Sequence, residues 1–306
     1  MMRKVYITLI FTLLSLLLSA QHYFGVTIGG LTVSQFDNID NTSSRLGGGG
    51  EIGAVYQLKK NKFLFQTGLG FTCSASVLGL DSMHLSANMI DTEGTNFTYR
   101  GIVYDRKDRL NVAELSVPLM FGFNVSSFYA LVGAKFICPL VVTTHQTALL
   151  TSYGDYNGMF YEDFMNMPQH GYANAQSIDT KGKANLLYDV MPCVELGGRW
   201  SVAKTTRKRK SLTTQIAVGF FAEYGLLNTL KGGNNDLVDV DYSQYMNVEM
   251  NHIYTTLSRN SAFINNLRIG LRGTVLFPIA DFNKRSRKCM CIRHIYRKRL
   301  GYRRYR

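Results

Sequence analysis

The sequence predicts an all-β chain, a transmembrane antiparallel up-and-down β-barrel of about eight strands with long outer loops and short periplasmic turns. Three observations carry that expectation. The chain of 306 residues opens on a secretory signal. Eight runs of alternating polarity follow, 12 to 17 residues long, where a globular strand averages about 5–6 and a tilted membrane strand needs about 9–11. The connections between those runs alternate in length, long then short.

Residues 1–20 read as a cleaved signal peptide. Arg3 and Lys4 form its basic start, and residues 5–18 are apolar and uncharged. Those 14 residues, rising about 1.5 Å each as a helix, span roughly 21 Å, short of the roughly 30 Å hydrocarbon core. Ser19-Ala20-Gln21 offers a cut after Ala20. A retained anchor is the alternative, because Leu18 is larger than the small residue usual at that site. No Cys follows the apolar run, so the signal is not of lipoprotein type.

The barrel body is 21–283. Its first run, 22–33, reaches the second, 47–58, through 13 residues. Lys59-Lys60-Asn61-Lys62 then turns the chain into 63–78. There Phe63, Phe65, Leu69, Phe71 and Val77 share one face, and Gln66, Gly68, Gly70, Thr72, Ser74 and Ser76 the other. A connection of 32 residues leads to 111–124, where Leu115, Val117, Leu119, Phe121 and Phe123 oppose Glu114, Ser116, Gly122 and Asn124. Within that connection, residues 96–104 read as a strand extension above the membrane. Val125-Ser126-Ser127 turns into 128–143, and 41 residues lead on to 185–201. A basic turn, 202–211, gives 212–227, and 35 residues precede the last run, 263–279. A compact soluble domain seldom carries three loops of that size, whereas outer-membrane barrels alternate short periplasmic turns with long outer loops. Pro118, Pro139 and Pro192 fall inside runs. A closed barrel has no edge strand to host them, so each predicts a bulge or a shifted boundary.

Nine charged residues share the parity opposite the apolar one: Glu51, Glu114, Lys135, Asp189, Glu195, Arg199, Glu223, Arg268 and Arg272. In a membrane barrel they face the lumen, because a charge on the lipid face costs about 2–4 kcal/mol at the midplane. A soluble sandwich would show the same parity with its charged face wet. Strand length, loop asymmetry and the signal favour the membrane. Aromatics gather at the short turns (Phe63, Phe65, Phe121, Phe123, Phe128, Tyr129, Trp200 and Phe277), where a periplasmic girdle is expected.

The formal net charge of +13 lies wholly at the two ends. The signal carries two bases, the tail 284–306 carries eleven and no acid, and residues 21–283 balance 21 bases against 21 acids. A folded basic face for nucleic acid is therefore excluded as the source of the charge. The tail interleaves Tyr296, Tyr302 and Tyr305 with its bases and belongs in the periplasm. There anionic lipid, peptidoglycan or an acidic protein would be its partner, with a plain solvated tail the alternative. Of five Cys, Cys73 and Cys138 lie on the lipid parity and Cys193 points inward. Cys289-Met290-Cys291 with His294 is spaced too tightly for a usual zinc pair. The sequence calls for no metal and no cofactor.

Glu114-Leu115-Ser116-Val117-Pro118-Leu119 resembles a strand of the PorT-like and OmpA-like outer-membrane β-barrels of Bacteroidetes. Ser19-Ala20-Gln21 is similar to that group's signal junction, and residues 268–277 to its last strand. The resemblance implies a barrel of eight or so strands in the outer membrane of a Gram-negative bacterium, and implies no single activity. The tail beyond Phe277 departs from it, since such barrels usually stop near that aromatic.

The expected function is a structural or protein-interaction role, as an envelope anchor, an adhesin or a secretion accessory. Outer-membrane lipid is the expected surround, and outer loops rich in Asn, Asp, Tyr and Gly, at 153–161 and 236–251, are the expected docking surface for envelope proteins. Eight strands leave a lumen that side chains can fill, so Glu51, Glu114, Glu195 and Glu223 should pair with Lys135, Arg199, Arg268 and Arg272. The rival to a structural network is a narrow proton, ion or solute path. A rim enzyme of acyltransferase or protease type would draw on His84, His145, His170 and His252, with Asp81, Ser82, Ser86 and Asp155. No spacing among them is diagnostic, because a triad is recognised by geometry.

Overall fold

The computed structural model describes residues 20–39, 42–90, 94–156, 174–207, 210–231, 238–241, 247–256 and 262–279. Twelve strands lie within them: β1 (Gln21–Asp37), β2 (Thr42–Lys60), β3 (Phe63–Leu80), β4 (Met83–Ile90), β5 (Asn96–Val125), β6 (Phe128–Asp155), β7 (Gln176–Lys183), β8 (Asp189–Arg207), β9 (Lys210–Tyr224), β10 (Val238–Asp241), β11 (Asn247–Met250) and β12 (Ile264–Pro278). A four-residue helix, α1 (Ile253–Thr256), follows β11. The signal segment 1–19 and the tail 284–306 lie outside the described residues.

Eight of these strands close a ring in the order β1, β2, β3, β5, β6, β8, β9, β12 and back to β1, every pair antiparallel. The wall strands correspond one to one with the eight alternating runs. Their lengths run from 15 residues in β9 and β12, slightly shorter than the matching runs, to 30 in β5, more than twice its run. Asn61 and Ser126 sit at φ 55° in the two-residue turns after β2 and β5, a left-handed conformation common in tight hairpins.

In their described residues, two of the expected long loops are largely strand. β5 and β6 run on as one hairpin beyond the ring, with Thr98 still opposite Asp155. β4 pairs with the extension of β5, and β7 with that of β6. A four-stranded sheet, β4-β5-β6-β7, thus projects from one side of the outer rim. Periodicity over 96–104 revealed part of it. Polar positions masked the rest, because above the membrane neither face needs a continuous apolar stripe.

The prolines act as their chemistry requires. Between β5 and β6 the register shifts so that Glu114 faces Pro139 while Ala113 faces Val141, leaving Leu140 as the extra residue of a bulge. The β3–β5 ladder keeps its register but opens at Gly68 and Leu69, opposite Val117 and Pro118, where proline has no N–H to give. Pro192 lies one residue beyond the last β8–β9 pair.

The two faces of the wall settle which side is wet. Ile28 and Phe220 are each 67% exposed on the outside, and Ile52, Leu69, Val132, Leu196 and Leu271 join them in an apolar belt. All nine charged residues of the opposite parity are enclosed, the least buried, Glu51, being 8% exposed. A water-soluble sandwich would reverse this arrangement, so the belt is built for lipid. Phe63, Phe121, Phe123, Phe128, Trp200 and Phe277 stand exposed at the turn end as a girdle, with Phe65 5.0 Å from Phe121 between ring centroids. Tyr129 departs from the girdle expectation: its side chain is buried in the lumen.

The lumen is filled in three levels. Near the turns Leu64, Met120, Tyr129, Leu131, Cys193 and Ala217 pack together, beside Tyr23, Val55 and Leu276. Charged side chains occupy the middle. At the outer end Leu78, Leu80, Leu110 and Val142 of the wall close on Leu230, Ile253 and Tyr254, so that α1 plugs the mouth.

Candidate functional site

The middle of the lumen is an ionic network converging on Arg272. Its guanidinium donates to Glu51, to Glu195 Oε2 at 2.6 Å and to Glu223 Oε1 at 3.0 Å. Lys135 donates to Glu51 Oε2 at 3.3 Å and to Glu223. Arg268 holds Glu114 through both carboxylate oxygens, the longer bond being 2.8 Å. The strand register fixes this meeting, since each member occupies an inward position on β2, β5, β6, β8, β9 or β12. Phe221 lies under the network, 4.2 Å from the Arg272 guanidinium and 5.7 Å from Lys135 Nζ.

Two of the nine stand apart from the ion pairs. Asp189 caps backbone instead, accepting from the Val190 N–H at 2.7 Å and the Leu227 N–H at 3.0 Å. Arg199 does not make the expected pair with a glutamate. It stacks over Tyr129 at 5.3 Å, and its Nε and one terminal nitrogen have no hydrogen-bond partner. Tyr129 explains the substitution. Its hydroxyl donates to Glu195 Oε1 at 2.6 Å, occupying the carboxylate Arg199 would otherwise reach. Gly197 and Gly219 make room for that ring: a Cβ at Gly219 would sit 2.4 Å from the hydroxyl. Reading Tyr129 as a girdle aromatic missed this role, although its parity matches Leu131 and Lys135. Gln57 and Gln66 add a buried side-chain bond of 3.0 Å below the network.

Free space in this level is small. A cavity of about 30 Å³ touches Glu51, Gln66, Ser116, Lys135 and Arg272, the volume of about one water. Chemically the site can hold fixed charges and a water.

The outer plug carries a second polar cluster that the sequence reading passed over as loop. Arg106 and Asp108 form a buried ion pair of 3.1 Å. Arg106 also donates to the Asn251 carbonyl at 2.7 Å, and Asp108 accepts the Ile253 N–H at 3.0 Å. The two residues thus clamp the start of α1. Tyr254 donates its hydroxyl to Gln35 at 2.7 Å, and burial pushes that phenol above its ordinary pKa. His252 is buried with neither ring nitrogen hydrogen-bonded. Burial, helped by Arg106 and His145 and opposed by Asp108, holds its imidazole below the usual range. The only signal for this cluster was the run of four charges Asp105-Arg106-Lys107-Asp108, which also suits a solvated loop.

The rim candidates scatter. His84 and Ser86 stand exposed on β4, after exposed Asp81 and Ser82. Asp155 pairs with Arg100 at 2.9 Å. His145 on β6 meets Asp179 on β7 at 2.8 Å, with β5 between it and Ser86 of β4. His170, Cys289, Cys291 and His294 lie outside the described residues. Among the described residues no group of three His, Cys, Asp or Glu side chains is arranged for a metal.

No protein-family model matches this chain, and no curated protein sequence matches it. Solved structures are similar in outline. The attachment invasion locus protein Ail of Yersinia pestis, in complex with the heparin analogue sucrose octasulfate, is 7% identical, with 83% of this chain and 99% of that one covered and a TM-score of 0.27. Neisserial surface protein A is 10% identical, with 81% and 95% covered and a TM-score of 0.25. The outer membrane protease OmpT of Escherichia coli is 8% identical, with 86% and 97% covered and a TM-score of 0.29. The architecture rests on the strand pairing itself: an eight-stranded antiparallel barrel, closed, apolar outside and charged within.

Proposed function

We propose that this chain is an outer-membrane barrel with a structural or protein-interaction role, and that it works through its outer sheet rather than its lumen. One observation carries the reading: the lumen is packed at all three levels and stoppered by α1, while β5 and β6 rise beyond the ring and gather β4 and β7 beside them. A filled barrel is a stake. A four-stranded sheet whose two edges are unpaired among the described residues is a surface that can receive an added strand or a flat partner face. The partner is an envelope or cell-surface protein, and the reading includes no catalytic role. Cysteines placed at Ser86 on β4 and Ser177 on β7, each carrying a photocrosslinker, test it in native membranes. A discrete adduct with one partner supports the proposal. Labelling that matches a control on the periplasmic turn at Ser126 refutes it. The conduit alternative has its own test, because planar bilayers containing the barrel should show no discrete conductance steps.

A further inference from the structure

Just above the apolar belt, one level of the outer wall is basic across neighbouring strands. Arg45 on β2 lies opposite Val77 on β3, which faces Arg109 on β5, which faces His145 on β6, which faces Lys181 on β7. Lys107 is in the row above, opposite Gly79, and Lys183 in the row below, opposite Thr143. Arg45, Arg109, Lys181 and Lys183 are exposed. Two acids share this face, and each is paired with one of these bases, Asp105 with Lys107 at 2.9 Å and Asp179 with His145 at 2.8 Å. Among the described residues, Arg45, Arg109, Lys181 and Lys183 form no ion pair.

Directly beneath this row the wall is hollowed. Gly48, Cys73, Ala75, Ala113, Val141 and Thr143 line an open groove of about 340 Å³. The groove follows from small outward residues beside two bulges, one between Arg45 and Gly48 and one at Leu140. An apolar hollow below and four cations without an ion pair above match one chemistry, an acyl chain joined to a phosphorylated head group. Cations close to a lipid surface are drawn to its anionic head groups. We infer that this face binds a phosphorylated, acylated glycolipid of the outer leaflet, of the lipid A class, with its phosphates on Arg45, Arg109, Lys181 and Lys183 and one acyl chain in the groove. The inference rests on the membrane reading of the belt.

The test titrates refolded barrel in zwitterionic micelles with bis-phosphorylated lipid A, its dephosphorylated form and its deacylated phosphorylated disaccharide. Wild type should bind intact lipid A at least tenfold more tightly than either derivative. The triple substitution Arg109→Ala/Lys181→Ala/Lys183→Ala, confined to exposed side chains, should lose at least tenfold, and Ala113→Trp, which fills the groove, should lose affinity for the acylated ligand only. Unchanged affinity in the triple variant overturns the site. Equal binding of the deacylated disaccharide overturns the lipid, leaving a site for free polyanions. The membrane reading fails separately, if the wild-type barrel stays folded and monodisperse without detergent.

Discussion

Replacing Arg272 by methionine removes the guanidinium that three carboxylates share. The remaining base, Lys135, still reaches Glu51 at 3.3 Å and also Glu223. Glu195 is the group left behind, with the Tyr129 hydroxyl at 2.6 Å and no cation in contact. Breaking a buried pair by removing one partner costs about 3–5 kcal/mol. Because Lys135 covers two of the three carboxylates, the cost should fall near the lower end, about 3 kcal/mol, or roughly a hundredfold in the folding equilibrium. The single Trp of the chain, Trp200, stands 52% exposed on the lipid face, so its fluorescence reports insertion during urea titration in phospholipid vesicles. The double variant Arg272→Met/Glu195→Gln removes the stranded charge too, and should recover about 1–2 kcal/mol, within the range measured for directly coupled sites. A single variant within about 0.5 kcal/mol of wild type, or strictly additive substitutions, would refute the network as an energetic unit.

The belt has its own test. Ile28→Arg should destabilise the inserted barrel by about 2–4 kcal/mol, and Ser34→Arg, nearer the outer rim on the same face, by about 0–1 kcal/mol; equal small effects would mean that the belt faces water. Gly219→Ala should displace the Tyr129 ring, since the new methyl would meet its hydroxyl at 2.4 Å. The loss should be about 1–3 kcal/mol, as for other overpacked cores, and the further change Tyr129→Phe, which deletes the clashing oxygen, should restore part of it. The outer plug should respond to acid. His252 is held below its ordinary value, so its contribution to docking is complete above the unfolded pKa of about 6.5 and declines as pH falls from there towards the folded value. The protection factor of the Ile253 amide, which donates to Asp108, taken after correction for the intrinsic pH dependence of exchange, should therefore fall between pH 7 and pH 5. A pH response that persists in His252→Gln would assign the switch to another group.

Period-two alternation located all eight wall strands because lipid imposes the same rule on every outward position. It could not say which parity was wet, since a soluble sandwich obeys the same alternation; burial decided it. The identity of the lumen charges was legible for the same reason, their parity, but their pairing was not. Arg199 loses its expected glutamate to Tyr129, a contact that depends on two glycines of β8 and β9 meeting across one ladder. The Arg106–Asp108 clamp was illegible because its partners, Asn251 and Ile253 at the start of α1, lie 145 positions away. A buried ion pair and a solvated charged turn are written with the same residues.

A filled, charged lumen is a costly way to build a stake, because ion pairs buried in place of hydrophobic packing often add no net stability. Specificity is the better account here. Arg268 on β12 holds Glu114 on β5, its opposite member in the ring, and Lys135 on β6 reaches Glu51 on β2 and Glu223 on β9. None of these pairs joins hydrogen-bonded neighbours. Each forms only when the ring has closed in the right order. A slip of one residue in any of these strands would turn its charge from the lumen to the lipid, at about 2–4 kcal/mol near the midplane. Backbone ladders are indifferent to such a slip, since every register satisfies their hydrogen bonds. The charges are not, so the network selects the register that the outer sheet and its plug require.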